Sequence, residues 1–161
     1  MKKGNKIAIL VAGLGGISVI AFAAVSLKSG GGETNLLKQP SSSDLSAGSA
    51  LYVENCASCH GKDLEGEPDW RSSREDGTFP APPHNEEGHT WHHSDAMLFD
   101  YTKLGGKAAL EAMGATDFTS GMPSFESQLS DEDIWDILAF IKSTWSERAR
   151  HSQAERSESD S

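Results

Sequence analysis

Apolar residues recur at helical spacing in three stretches of the chain, and no segment alternates convincingly with strand period. The strongest stretch is 130–145. Ser130 stands where an N-cap is needed, Asp131, Glu132 and Asp133 fill the first turn, and Ser130 with Asp133 forms an S-x-x-D box. Ile134, Ile137, Leu138, Ile141 and Trp145 then line one face. A second helix is predicted over 94–104. Ser94 is its cap, Asp95 favours its first turn, Met97, Leu98, Tyr101 and Leu104 keep helical spacing, and Gly105 stops it. A third is predicted over 45–57, capped by Asp44 or Ser46. Leu45, Tyr52 and Val53 offer apolar contacts there, and Gly48 permits close backbone approach. The expected fold class is all-α.

The two ends differ from this middle. Lys2, Lys3 and Lys6 precede residues 7–27, a run of 21 residues without charge. That is closer to the ~20 residues of a membrane span than to the 7–15 of a signal-peptide core. Positive charge before the run places the N-terminus in the cytoplasm. The expectation is an N-terminal transmembrane anchor over 1–28, single-pass in the cell inner (cytoplasmic) membrane, with the rest on the periplasmic, outer face. The rival reading is a cleaved signal peptide, for which Ala21-Phe22-Ala23 offers an A-x-A site. Both export the domain. Residues 29–44 are Gly- and Ser-rich and read as a flexible linker. Residues 146–161 are Ser, Glu, Arg and Asp with almost nothing to bury, and read as a disordered polar tail. Residues 45–145 are left as the domain.

The chemistry of that domain is concentrated in Cys56-Ala57-Ser58-Cys59-His60. Two cysteines two residues apart with histidine next is the signature of covalent haem attachment. Each thiol adds to one vinyl group at the same porphyrin edge, and the following imidazole is aimed at the iron. A redox dithiol needs no adjacent histidine, and a cysteine-rich zinc site needs further cysteines; Cys56 and Cys59 are the only two in the chain. The expected cofactor is one haem c, held by Cys56 and Cys59, with His60 as axial ligand to the metal. Residues 33–145 hold 20 Asp plus Glu against 7 Lys plus Arg. Nucleic acid is a poor partner for such a surface, whereas a redox protein with a basic docking patch suits it.

These pieces together resemble a class I monohaem c-type cytochrome over residues 45–145. Gly48 and Tyr52 precede the Cys56–His60 motif and Gly61, Gly121-Met122-Pro123-Ser124-Phe125 follows, and Leu138-Ala139-Phe140-Ile141-Lys142 closes the last helix. The resemblance implies a helical fold around haem, with the first and last helices crossing closely at Gly48, Tyr52 and Phe140. It also implies Met122 as the sixth ligand. Pro123 bars a helix there and Gly121 allows close approach. Met97 reads instead as core filler, and Met113, in a loop near Gly114, is a weaker rival ligand.

Residues 79–93 depart from the smallest members of the family. Phe79-Pro80-Ala81-Pro82-Pro83-His84 is followed by His89, Trp91, His92 and His93. Four histidines within ten residues could bind copper or zinc, or one could replace Met122. The plainer reading is a proline-ordered loop, with Trp70, Phe79 and Trp91 shielding a haem edge. The expected function is a tethered carrier of single electrons between respiratory-type redox partners, not an enzyme. The alternatives are an electron-accepting subunit of a dehydrogenase or reductase complex, and a protein whose histidine-rich loop binds copper.

Overall fold

The computed structural model describes residues 37–115, 117 and 119–160. The anchor expected over 1–28 lies outside the described residues. Among them no helix is long and apolar enough to cross a membrane. They form six helices and a 3-10 turn at Thr90–His92, with a single isolated bridge, Thr78 to Thr119, and no strand.

Helix α1, Leu45–Asn55, starts where Asp44 caps it: the carboxylate accepts from the Ser46 and Ala47 N–H groups at 2.8 and 3.1 Å. A break at Cys56 separates it from α2, the single turn Ala57–His60. Helix α3, Asp95–Leu104, carries the expected Ser94 cap, whose hydroxyl accepts from Met97 N–H at 3.3 Å. Gly105, at φ +82°, ends it. Its conformation turns the chain directly into α4, Gly106–Ala112, a helix the apolar pattern did not announce. Helix α5, Asp131–Ser143, has the full capping box. Ser130 Oγ accepts from Asp133 N–H at 3.1 Å, and the Asp133 carboxylate accepts from Ser130 N–H at 2.9 Å.

The core is the crossing of α1 and α5. Ile134, Ile137, Leu138 and Ile141 of α5 are buried as expected, and Trp135 and Ala139 are buried with them. Removing an isoleucine side chain wholly from water stabilises by roughly 1.5–3 kcal/mol. Gly48 faces the α5 backbone at Asp136, and Tyr52 meets Phe140 with ring centroids 5.5 Å apart. Helix α3 joins this core through Phe99, stacked on Trp135 at 4.6 Å.

The structure corrects the reading of the polar tail and of the described part of the linker. Residues 146–161 were expected to be disordered, yet Glu147–Ser159 is a helix, α6, capped by Ser146. Its inward positions are Ala149 and Gln153, both buried, so it docks with one methyl group and a set of hydrogen bonds. The described part of the expected flexible linker, 37–44, is also tied down. Gln39 N–H donates to the Asp95 carboxylate at 2.9 Å, and Asp44 N–H donates to Asp136 at 2.7 Å. Asp95 is the shared hub: Lys142, Gln153 and Gln39 all donate to it. Burial opposes its charge, but these donors hold its carboxyl below the usual range.

Candidate haem site

Helix α1 delivers Cys56 to the site because its last hydrogen bond, Cys56 N–H to Tyr52 C=O at 2.8 Å, still follows the helix. The thiol is buried, which pushes its pKa up to about 11, with Cys59 adding to the effect. Cys59 is exposed. The single turn of α2 then brings His60 inward, where it is buried. Tyr52, fully buried, fixes this turn from beneath: its hydroxyl donates to Gly61 C=O at 3.0 Å.

The orientation of His60 is set by a backbone carbonyl. Its Nδ1 lies 2.8 Å from Pro82 O. A carbonyl can only accept, so Nδ1 carries the proton and Nε2 presents the lone pair. Burial lowers the pKa of the imidazole, partly offset by the Pro82 bond and the Glu67 charge, which favours the neutral form that a metal needs. The Pro82 segment is itself gripped by Glu67. The Glu67 carboxylate accepts from Ala81 N–H at 2.6 Å and pairs with Arg74 at 2.8 and 2.9 Å.

Two thiols on adjoining turns and a neutral imidazole with its second nitrogen already committed form a donor set that fits a covalently held haem. The family model for cytochrome c matches residues 45–145. The chain belongs to the cytochrome c family. No curated protein and no solved structure matches it. Cytochromes c bind covalently attached haem c, work by haem-based electron transfer and have redox proteins as partners. Cys56 and Cys59 are the thiol pair this cytochrome presents for the attachment.

Met122 packs, half-buried, against the core cluster that contains Cys56 and Tyr52. Its loop is held on both sides. Met122 N–H donates to Ser120 Oγ at 3.2 Å, and Met122 C=O accepts from Gly106 N–H at 3.1 Å. Helix α4 is therefore what braces this loop. Met113 is half exposed at the end of α4, and Met97 is partly buried on α3.

Two rings of the histidine loop meet, His89 and His93, edge to face with centroids 5.2 Å apart. Among the described residues no group of three or more His, Cys, Asp or Glu is arranged to hold a metal ion. His84 stacks on His60, centroids 3.9 Å apart and planes 20° from parallel. It therefore stands beside His60 rather than opposite it. Its Nδ1 is buried with no partner among the described residues, and burial holds its pKa well below the ordinary value. His89 stacks on Trp70 at 5.3 Å, with Arg71 on the indole, and His92 packs on Trp91 at 3.7 Å. Of the three aromatics expected to shield the site, Trp91 is the one packed against the core cluster; Trp70 is paired with His89 and Arg71. The residues that sequence reasoning missed are Glu67, the Pro82 carbonyl and the stacking role of His84. The Pro80–Pro83 run was the only signal for the last two.

Proposed function

We propose that this cytochrome is an exported, membrane-tethered carrier of single electrons, with His60 and Met122 as the two axial ligands. The observation that carries the reading is the His60–Pro82 hydrogen bond, which commits Nδ1 and leaves Nε2 as the donor. When bound, the haem supplies a one-electron ferric–ferrous couple. Cys56 and Cys59 tie the ring to the chain, so it cannot be lost between partners. His60 contributes a neutral nitrogen of fixed orientation. Met122 contributes a neutral thioether, which favours the reduced state relative to a second histidine. Holding both ligands on braced segments keeps the site the same in both oxidation states, so little has to rearrange during exchange.

No substrate is transformed in this reading. The charge-free run over 7–27 supports a tether in the inner membrane with the haem domain outside, which raises its local concentration near membrane-bound partners. The acidic balance of 33–145 suits a basic docking surface on those partners.

The deciding experiment is an optical spectrum and redox titration of the purified holoprotein, wild type and Met122→Ala. The expected results are a positive midpoint, a methionine-to-iron band in the oxidised wild type, and loss of that band with a large fall in potential in the variant. A titration unchanged by Met122→Ala assigns the sixth ligand elsewhere, and a high-spin wild type refutes the carrier reading.

A further inference from the structure

Residues 146–159 lie beyond the 45–145 family match, yet they reach back to the loop that carries Pro82. Pro82 and Pro83 have no N–H, so the carbonyl that orients His60 cannot be anchored by hydrogen bonds of its own backbone donors. It depends on the residues flanking it. Upstream, Glu67 holds Ala81. Downstream, His84 N–H donates to Leu64 C=O at 2.9 Å, and the rest of the loop is held by the C-terminal segment. Trp145 Nε1 donates to His84 C=O at 2.7 Å. Ser146 N–H donates to the Glu86 carboxylate at 2.9 Å. Gln153 Nε2 lies 3.2 Å from His93 C=O and 2.6 Å from the Asp95 carboxylate. Ser157 Oγ accepts from Asp95 N–H at 3.0 Å.

We propose that α6, through Gln153, is a positioning element for His60. It clamps the far side of the 82–93 loop, and the clamp keeps the Pro82 carbonyl on His60 Nδ1. The proposal rests on His60 being the iron ligand. The chain of contacts has a defined chemical end. A firm Nδ1–H···O=C bond makes the imidazole a stronger donor and stabilises ferric iron; a loosened bond does the reverse. Gln153 is the pivot because it is 4% exposed and its amide serves the loop and the Asp95 hub together.

The test uses full-chain holoprotein, wild type, Gln153→Leu and Trp145→Phe, with His151→Ala on the exposed face of α6 as control. The expected result is a positive shift of the midpoint potential and a lower iron–histidine vibrational frequency in both variants, with the control unmoved. The His84 and His93 amides should exchange about tenfold faster, the equivalent of one lost buried hydrogen bond. A lower melting temperature with potential and vibration unmoved overturns the proposal and leaves α6 as scaffold only. If the variants do not accumulate, wild-type hydrogen exchange decides. The α6 amides and the His84 and His93 amides opening at one common rate support the clamp; a protected loop beneath a freely exchanging α6 overturns it. A wild-type haem with no histidine ligand overturns both the clamp and the ligation reading, whereas an unmoved potential in the variants of a histidine-ligated haem faults the clamp alone.

Discussion

Gly48 sits on α1 where it crosses α5, and the sharpest test of the fold is to give it a side chain. A Cβ built there overlaps the carbonyl of Asp136 and comes within 3.1 Å of Ile137 N. The obstacle is backbone, so no rotamer change relieves it, and the two helices must move apart. Against this, Gly→Ala in a helix interior gains about 0.5–1 kcal/mol from chain entropy. Overpacking a close contact costs about 1–3 kcal/mol or more. A contact blocked by main chain belongs at the upper end of that range, so Gly48→Ala should destabilise by roughly 2–2.5 kcal/mol net. At about 3–5 °C per kcal/mol for a domain of this size, the melting temperature should fall by about 6–12 °C. The effect should reach the haem site too, because Tyr52 lies one turn further along α1. Its ring packs on Phe140 and its hydroxyl holds Gly61. The assay is thermal melting by circular dichroism, together with covalent haem per chain. Val53→Ala, at a position on α1 that is 59% exposed, is the control and should stay within about 0.5 kcal/mol. A Gly48→Ala protein that melts at or above the wild-type temperature, with full haem content, would refute the close crossing.

Ser130→Ala removes the acceptor for Asp133 N–H and one side of the capping box, and should cost about 1 kcal/mol, or about 3–5 °C in melting temperature; an unchanged melt would show the cap to be dispensable. Glu67→Gln keeps an acceptor for Ala81 N–H but deletes a negative charge that acts on His60, so the midpoint should move positive with little change in melting; a midpoint that stays put would remove Glu67 from the electrostatics of the site. Acidification should weaken the holoprotein first through its histidines. Burial, with His89 and His92 nearby, pushes the His93 pKa down to about 4 from 6.5, so the unfolded chain binds the extra proton between those values, and stability complete above pH 6.5 is lost as pH falls toward 4. Asp95, held below its ordinary 3.8, acts only at lower pH. His93→Gln should flatten the slope of melting temperature between pH 6.5 and 4, and an unaltered slope would clear His93 of the effect. Adding copper to the holoprotein should leave its spectrum and melting temperature unchanged; stoichiometric binding abolished in a His92→Ala, His93→Ala double variant would revive a metal role for the loop.

Helix α5 was legible because two signals coincide there: a polar cap that can close on itself and isoleucines at helical spacing. Helix α6 carries only a simple cap, with alanine where a reciprocal carboxylate would stand. Ser146 caps it, but its inward positions are Ala149 and Gln153, one too small and the other too polar to register as an apolar stripe. Its stability comes from long-range partners on Asp95 and His93, which composition along the segment cannot reveal. The same applies to residues 37–44, whose Ser-rich character hides two backbone donors to distant carboxylates. Helix α4 was missed because it begins at Gly106, directly after the glycine that ends α3.

At the site, the side chains that bear chemistry were readable and the groups that aim them were not. Cys56, Cys59 and His60 are a motif because adjacency along the chain forces adjacency in space. The Pro82 carbonyl has no side-chain identity to read, and Glu67 is one of many acidic residues. The histidines show why the plainer reading of their loop is the better one. Close spacing in sequence leaves a metal site open, but such a site needs a regular backbone to place the side chains on one face. Pro80, Pro82 and Pro83 remove that regularity. Freed from a common face, the rings stack on different partners: His84 on His60, His89 on Trp70 with His93 edge-on against it, and His92 on Trp91. Each contact buries ring surface locally, so drawing these imidazoles together on a metal would require breaking several stacks at once. That cost is why the loop reads as a packed wall of the haem site rather than a second metal centre.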